Sequence, residues 1–258
     1  MTAHERQASD RLSFTNPRVQ RLRRLLGRRS SRSEEGALVI EGPVMVAEAI
    51  AAGWAVEAQF TAPGVEPVTT GAATPVARLA PGVAERVSDL ESPTGLFAVV
   101  ARPSRDAAAT LAAASFVVVA DRIAEPGNLG TIIRSAEAAG ADAVVVTPGT
   151  VDETNPKVVR ASAGALFHVP VVPAGLADVA AAGLRVIATS SHRGVAHTAF
   201  DWSGRVAVVA GNEAAGVDPA EPAITDWVRI EHHGRAESLN VAMATTVLCF
   251  EVARDRPD

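Results

Sequence analysis

Three separated segments of the 258-residue chain carry polar residues in patterns that could form a ligand site. The first segment, 121–134, contains Asn128 as a predicted helix N-cap and Arg134 about two turns further along the same helix. An arginine among the apolar residues of such a helix either extends its charged end to solvent or enters a polar pocket. The sequence leaves both possibilities open, and only the second gives Arg134 a chemical role.

The second segment is the glycine-rich stretch 210–216, which directly follows a run of β-branched residues. Glycine lets a backbone approach a ligand closely, although a simple turn with glycines in left-handed conformations explains the stretch equally well. It matches neither the dinucleotide-binding nor the P-loop pattern, and the carboxylate of Glu213 would repel a phosphate. The segment therefore favours a cofactor with cationic or hydroxyl groups and no phosphate, a description that S-adenosylmethionine meets.

The third segment, 230–244, opens the last predicted helix, with Ser238 as the predicted N-cap. Leu239, Met243 and Val247 fall on one face at a spacing of four residues, and most other positions are also apolar. The sequence therefore predicts that this C-terminal helix is buried on most sides. Its start is either an ordinary capped core helix or the floor of a ligand site.

Composition excludes several classes of protein. The net charge of −5 means that any contact with a polyanion must come from a local basic patch. The single cysteine, Cys249, excludes an internal disulfide and a cysteine-based metal cluster. His232 and His233 lack a third ligand, so no metal site is predicted. The sequence shows neither an apolar N-terminal signal nor a membrane-length apolar run, so we expect a cytoplasmic protein without membrane contact.

The order of predicted strands and helices divides the chain near residue 105. We expect a small α/β unit over 1–105, with residues 1–15 flexible, and a second unit over 106–258. The second unit alternates strands and helices, which predicts a mostly parallel sheet with helices on both faces. Ligands bind beyond the carboxyl ends of such strands, so we expect a site in the loops after Val119, Val209 and Ile230.

Seven arginines lie within residues 18–32, on a helix predicted to start at Asn16 and Pro17. They form either a solvated helix face or a patch that contacts the phosphate backbone of a nucleic acid. The patch contains no interleaved aromatic residue, so it would position RNA or DNA without stacking on bases. The candidate RNA-binding residues are Arg23, Arg24, Arg28 and Arg29.

Taken together, the three segments resemble the SpoU (TrmH) family of RNA ribose 2′-O-methyltransferases, within the SPOUT superfamily. The N-terminal unit is loosely similar to the small substrate-binding domain often found in that family. One residue departs from the family pattern, because Glu231 stands where a proline is usual, which leaves the path of residues 231–233 open. The matching residues are Asn128, Gly130, Arg134, Gly211, Asn212, Glu213, Gly216, Ser238, Leu239, Asn240, Val241 and Ala242.

The resemblance implies an α/β fold with a C-terminal SPOUT-type parallel sheet threaded into a deep trefoil knot, plus a small N-terminal α/β substrate-binding domain. Knots are rare exceptions among proteins. It also implies a homodimer that binds S-adenosylmethionine in the knot loops, uses no metal, and transfers the methyl group to a ribose 2′-hydroxyl of RNA. The implied cofactor-binding residues are Gly211, Asn212, Glu213, Gly216, Ile230, Ser238, Leu239 and Asn240.

The same resemblance makes Arg134 the main catalytic residue. Because a guanidinium group stays protonated at neutral pH, we favour a role in clamping a substrate phosphate and stabilising the developing alkoxide over a role as general base. Asn128 would orient Arg134 or the ribose, and Glu213 would shape the second loop and contact the cofactor or RNA. Ser238 and Asn240 would fix the third loop near the reacting hydroxyl.

Large-subunit ribosomal RNA and transfer RNA are both substrates of this family, and the N-terminal unit favours ribosomal RNA. A rival interpretation is a catalytically silent RNA-binding protein that keeps the fold, but such a protein need not retain the five candidate catalytic residues together. A small-molecule nucleotide enzyme is disfavoured by the missing phosphate-binding motifs and by the arginine patch.

Overall fold

The computed structural model describes residues 11–71 and 74–256. The chain forms two compact units, Met1–Pro103 and Ser104–Asp258, so the division falls close to the boundary predicted near residue 105. In the described part of the chain, no helix is long and apolar enough to cross a membrane. The prediction of flexibility over 1–15 falls largely on residues 1–10, which lie outside the described residues.

The first unit is a small α/β domain. Among its described residues, four strands form one sheet in the order β1-β4-β2-β3, in which only the β2–β3 pair is parallel. The apolar face of α1 packs on this sheet through Val19, Leu22 and Leu25, which are fully buried. The elements are α1 (Pro17–Gly27), α2 (Arg29–Glu35), β1 (Ala37–Glu41), α3 (Pro43–Ala51), β2 (Val56–Thr61), β3 (Val76–Arg78), α4 (Val83–Val87) and β4 (Leu96–Ala101).

The first described residues pair with the end of β3. The backbone N–H of Leu12 donates to the carbonyl of Arg78 at 2.8 Å, and Leu12 accepts in turn from Ala80 at 3.0 Å. These two hydrogen bonds fix the backbone at Leu12, and the flexibility expected for residues 1–15 stays a prediction. The predicted start of α1 is confirmed, since the side chain of Asn16 accepts from the N–H of Arg18 and Pro17 occupies the first helical position.

The second unit alternates strands and helices as the sequence predicts. The helix that starts at Pro156 ends at Ala161 and is followed by a short 3-10 turn. The elements are α5 (Ala107–Ala113), β5 (Phe116–Ala120), α6 (Pro126–Ala138), β6 (Ala143–Val146), α7 (Pro156–Ala161), a 3-10 helix (Ala165–Phe167), β7 (Val171–Pro173), α8 (Leu176–Ala181), β8 (Arg185–Thr189), β9 (Val195–Ala196), a 3-10 helix (His197–Ala199), β10 (Val206–Ala210), β11 (Asp226–Arg229) and α9 (Val241–Arg254).

Within residues 104–256, seven strands form one sheet in the order β7-β6-β5-β10-β8-β11-β9. Every strand pair in it is parallel, which confirms the predicted architecture. In register, Val119 of β5 lies beside Val209 of β10, and Val209 lies beside Ala188 of β8. Because neighbouring parallel strands end at the same edge, the loops after β5, β10, β8 and β11 meet there.

The last helix, α9, is buried or half-buried on most sides and exposed along one face. The side that packs against its own chain includes Ala242, Thr245, Leu248, Cys249 and Val252, all at most 1% exposed. The predicted burial therefore holds for most of the helix surface and fails along one face. An apolar stripe, defined here as Leu239, Met243, Val247 and Phe250, is 39–52% exposed on the opposite side.

Candidate active site

One cavity of about 680 Å³ lies at the carboxyl edge of the seven-stranded sheet. It is open to the loop after β10, to the loop between β11 and α9, and to the first turns of α9. Its size suits a small organic cofactor. Its lining includes all eight predicted cofactor-binding residues, namely Gly211, Asn212, Glu213, Gly216, Ile230, Ser238, Leu239 and Asn240.

A chain of side-chain hydrogen bonds joins the three predicted segments beside this cavity. Nδ2 of Asn128 donates to Oε1 of Glu213 at 3.0 Å, and Nδ2 of Asn240 donates to Oδ1 of Asn128 at 2.9 Å. Oδ1 of Asn240 in turn accepts from the backbone N–H of Ala242 at 2.9 Å. Each amide thus has one orientation that satisfies its partners, so the network fixes the three segments relative to one another.

The carboxylate of Glu213 holds the first segment in place. Oε2 accepts from the backbone N–H of Ala124, and Oε1 accepts from that of Glu125 as well as from Asn128, each at 3.0 Å. Burial alone would raise the pKa of Glu213, but these hydrogen bonds to the charged form lower that pKa below its ordinary value. Glu213 is therefore ionised at neutral pH and positions the loop after β5.

Two helix caps differ from the predicted ones. Helix α9 begins at Val241 with Asn240 as N-cap, whereas Ser238 lies in the preceding loop and lines the cavity. Asparagine and serine cap helices about equally well, and here the Asn240 side chain reaches the free backbone amides. Helix α6 begins at Pro126 after Glu125, so Asn128 lies within its first turn and is not the N-cap.

The loop after β10 is compact because its backbone packs on itself. A Cβ atom on Gly211 would lie 2.5 Å from the backbone of Gly216, and Gly216 itself has a φ of +66°. The side chain of Asn212 ties this loop to the loop after β5, since its Nδ2 donates to the carbonyl of Arg122 at 2.8 Å. The glycines thus build a tight turn, and that turn lies at the cavity wall.

Glycine in the first segment has a packing role. A Cβ atom on Gly130 would lie 2.4 Å from the Cβ of Ala161 and 2.7 Å from the carbonyl oxygen of Val158. Gly130 therefore allows α6 and α7 to approach closely. This contact sets the position of α6, the helix that carries both Asn128 and Arg134.

Arg134 does not line the cavity of its own chain. It lies on α6 and is exposed to solvent, whereas its neighbours Ile133 and Ser135 are buried. The single chain therefore brings the predicted cofactor residues and Asn128 together, and it leaves Arg134 free at the surface of the helix. Its catalytic role stays a prediction.

A fourth loop, which the sequence analysis did not single out, completes the cavity wall. Thr189 ends β8, and residues 190–192 follow it along the lining. The loop returns to β11 at Gly194, where a Cβ atom would lie 2.2 Å from the carbonyl oxygen of Trp227. The sequence could have indicated this loop by its position, because it also follows the carboxyl end of a parallel strand.

Histidines His192 and His232 both line the cavity. Over the described ranges 11–71 and 74–256, no group of three or more histidine, cysteine or acidic residues could hold a metal ion. The cavity therefore offers hydroxyl, amide, carboxylate and imidazole groups to an organic ligand.

Comparison with models of protein families shows which family this chain resembles. The model of the SpoU rRNA Methylase family matches residues 115–250, which is more than half of the chain. The chain belongs to the SpoU rRNA methylase family. This confirms the resemblance found in the sequence. Residues 16–98 match the MRM3-like substrate binding domain, a second model that covers most of the N-terminal unit.

Curated relatives of this SpoU chain are named as ribosomal RNA methyltransferases. It is 39% identical over 171 residues to the Bacillus subtilis 23S rRNA (guanosine(2553)-2′-O)-methyltransferase RlmP, covering 64% of this chain and 67% of that protein. It is 31% identical over 268 residues to the Streptomyces viridochromogenes 23S rRNA (uridine(2479)-2′-O)-methyltransferase, covering 96% of this chain and 93% of that protein.

Solved structures extend the likeness to both units. The SpoU methyltransferase AviRb from Streptomyces viridochromogenes, in complex with AdoMet, is 30% identical with a TM-score of 0.80 and covers 93% of this chain and 98% of that chain. The AdoMet-bound rRNA methyltransferase from Sinorhizobium meliloti is 29% identical with a TM-score of 0.83, covering 96% and 100%. The predicted SPOUT-type α/β fold is confirmed, and the knot stays a prediction.

Proposed function

We propose that this protein uses S-adenosylmethionine to methylate a ribose 2′-hydroxyl of large-subunit ribosomal RNA. The observation that carries the proposal is the hydrogen-bonded chain Glu213–Asn128–Asn240, which ties the first SpoU segment to the second and third segments, and these two line one cavity. A catalytically silent RNA-binding protein would have no need of such a network beside an intact cofactor cavity. The relatives named as 23S ribosomal RNA enzymes support ribosomal RNA over transfer RNA.

The residues of the cavity fit S-adenosylmethionine. The carboxylates of Glu213 and Glu237 suit an ammonium or ribose hydroxyl group, and Val228, Ile230 and Leu248 provide apolar walls for a flat ring. Among the residues that the structure describes, no lysine or arginine that would select for phosphate lines the cavity. When bound, this cofactor supplies an activated methyl group.

The chain's own residues then position the RNA and stabilise charge. Asn128 and Asn240 hold the first and third segments at the cavity mouth, which keeps the reacting groups aligned. Arg134, with its planar fork of N–H donors, would clamp a substrate phosphate and stabilise negative charge that develops on the ribose oxygen. Ser238, which lines the cavity, would fix the third loop near the reacting hydroxyl.

A direct experiment tests the activity and the substrate together. The protein is incubated with radiolabelled S-adenosylmethionine and either total ribosomal RNA or total transfer RNA, and the modified nucleotide is mapped. We expect label in the ribose of one large-subunit nucleotide. Label found only in transfer RNA would identify transfer RNA as the substrate. No label in either pool would favour the silent RNA-binding alternative. We expect the enzyme to act in the cytoplasm, where ribosomal RNA is available.

The N-terminal unit would bind RNA through the exposed arginines of α1 and α2. Arg23, Arg24, Arg28 and Arg29 are all exposed to solvent. Arg21 of the same helix is instead bound to two carboxylates, with Nε at 2.6 Å from Glu35 and Nη2 at 2.9 Å from Glu57. The guanidinium of Arg32 is also buried and donates to the carbonyl of Leu25. Two of the seven arginines, Arg21 and Arg32, are thus bound to groups of the protein itself.

The aromatic ring of Phe14 lies beside these arginines, although the sequence predicted a patch without aromatic residues. The guanidinium carbons of Arg86 and Arg23 lie 3.5 Å and 4.6 Å from the ring centroid of Phe14. Phe14 precedes α1 and Arg86 lies on α4, so neither appears in the run of seven. The stacked guanidinium groups extend the basic surface beyond α1.

Replacing Arg23, Arg24, Arg28 and Arg29 with glutamine is expected to weaken RNA binding and flatten its salt dependence. Each lost phosphate contact lowers the slope of log K against log salt by about 0.7–0.9. Titrations of a ribosomal RNA fragment at several salt concentrations measure this slope. Arg21→Gln is the matched control and should leave the slope unchanged. An unaltered slope in the fourfold variant would make the patch a solvated helix face.

The exposed apolar stripe on α9 supports the predicted homodimer. Met243, Val247 and Phe250 lie on one face of the helix, and Leu239 lies just before its N-cap. Four such exposed apolar side chains are unusual at a surface in contact with water. A second copy of the chain would cover them. Arg134 lies on α6, which packs against α9 through the Ser135–Thr246 hydrogen bond of 2.6 Å, so dimer formation would also change the surroundings of Arg134.

Met243→Glu is expected to convert the dimer to a monomer, because a charge would be buried without a partner in the interface. Sedimentation velocity at several protein concentrations measures the change. Val44→Glu is the control, since Val44 is also a large apolar side chain, is 70% exposed and belongs to the first unit. A Met243→Glu protein that sediments as the wild type would remove the stripe from the interface.

A further inference from the structure

The loop between β8 and β9, residues 190–194, is held at both ends beside the cavity. At its start, the backbone N–H of Ser190 donates to the carbonyl of Val228 at 3.0 Å. At its end, the carbonyl of Gly194 accepts from Nη1 of Arg229. The strand that follows, β9, pairs with β11 in parallel. The side chains of this loop therefore project from a backbone with fixed ends.

Arg193 of this loop lies over the ring of Trp227, which lines the cavity. Its guanidinium carbon is 3.5 Å from the centroid of the indole ring. The same indole packs against the hydrophobic core of the second unit, so it is a firm support. The negative face of a tryptophan ring attracts a cation and restricts its motion. The charge of Arg193 is therefore fixed next to the cavity wall.

The guanidinium of Arg193 is exposed and has no acidic partner. In the part of the chain that the structure describes, no carboxylate forms an ion pair with it, and Glu231 pairs with Arg229 instead at 3.4 Å. Contact with an aromatic ring uses the face of the guanidinium and leaves its N–H donors at the edges. Arg193 can therefore bind an anion that arrives from solvent.

The charge of the cavity indicates which anion that is. Among the described residues that line it, Glu213 and Glu237 are acidic and none is a lysine or an arginine. A ribose in RNA carries a phosphate on each side, so a ribose that reaches this cavity brings negative charge towards two carboxylates. Like charges brought together in this way weaken binding. A cation beside the cavity wall offsets the repulsion, and Arg193 has that position.

We propose that Arg193 binds a phosphate of the RNA strand next to the target ribose. This inference rests on the proposed function, because it takes RNA as the substrate of the cavity. A guanidinium can hold a phosphate with two parallel N–H donors, and the contact with Trp227 orients those donors before the RNA arrives. Arg193 thus adds an RNA contact in the second unit, beside the reacting groups.

Arg193→Gln tests the inference through two titrations, one with a transcript of large-subunit ribosomal RNA at several salt concentrations and one with S-adenosylhomocysteine alone. We expect the variant to bind the transcript about tenfold more weakly, the value of one hydrogen-bonded contact to a charged group. The slope of log K against log salt should fall by about 0.7–0.9, as for one lost phosphate contact. The affinity for S-adenosylhomocysteine should stay that of the wild type. Arg105→Gln is the matched control, since Arg105 is also an exposed arginine of the second unit, and should leave both titrations unchanged.

Arg193→Lys keeps the charge and loses the paired donors, so it should keep the wild-type salt slope and lose only part of the affinity. An unchanged RNA affinity and slope in Arg193→Gln, with normal binding by the wild type, would overturn the inference alone. Weaker binding of S-adenosylhomocysteine by Arg193→Gln would mean that Arg193 holds the carboxylate of the cofactor or shapes the cavity, and would also overturn it. Failure of the wild type to bind the transcript would contradict the proposed function and the inference together.

Discussion

Arg134→Ala is expected to lower methyl transfer by about 10²–10³-fold, the usual cost of removing a group that stabilises charge in a transition state. The affinity for S-adenosylmethionine should stay unchanged, because Arg134 does not line the cavity. Stability should also be preserved, because its side chain is exposed. Single-turnover rates with a ribosomal RNA substrate measure the first quantity, and calorimetry measures the second.

Two variants separate this catalytic role from a general effect of surface charge. Arg134→Lys keeps the charge and loses the planar fork of donors, so an intermediate rate is expected if Arg134 clamps a phosphate. Glu137→Ala changes another exposed residue of α6, one turn further on, and should leave the rate unchanged. Full activity in Arg134→Ala would exclude Arg134 from catalysis.

Structural features that depend on residues close together in the sequence were predicted correctly. The β-branched runs of β5 and β10 predict buried parallel strands, and both are fully buried. Parallel strands direct their following loops to one edge, so the loops after Val119, Val209 and Ile230 were expected to form the site. The loops after Val209 and Ile230 line one cavity, and the loop after Val119 is hydrogen-bonded to them beside it. This arrangement follows from strand order, which the family resemblance implied.

Features that depend on distant partners could not be predicted in this way. Glu57, which binds Arg21, is 36 residues away in sequence, so the arginine run appeared uniformly free. Whether Asn240 or Ser238 is the N-cap depends on where the loop before α9 ends and the helical backbone begins. The exposed stripe of α9 has the same apolar composition as a buried face. The sequence therefore cannot show whether its own chain or a second copy covers it.

Asn128→Asp is expected to lower methyl transfer by about 10²-fold at neutral pH, through misalignment of the first and third segments. The substitution has nearly the same shape, but it replaces the Nδ2 donor that faces Glu213 with a carboxylate oxygen at about 3 Å, where two negative charges repel. Binding of S-adenosylhomocysteine should weaken as well. Asn155→Asp is the matched control: Asn155 uses only its Oδ1, which accepts from the N–H of Lys157 at 2.9 Å, and aspartate keeps that acceptor.

The pH dependence distinguishes electrostatic repulsion from a simple loss of packing. In the wild type the pKa of Glu213 lies below its ordinary value of 4.5, so the network is complete above that value and is lost only as the pH falls through the lowered pKa. In Asn128→Asp the two carboxylates raise each other's affinity for a proton, and a single shared proton restores a donor between them. The activity of the variant relative to the wild type should therefore rise as the pH is lowered from about 8 towards about 5.5. Parallel pH profiles for the two proteins would show that repulsion at Glu213 is not the cause, and that Asn128 acts on the ribose or on Arg134 directly.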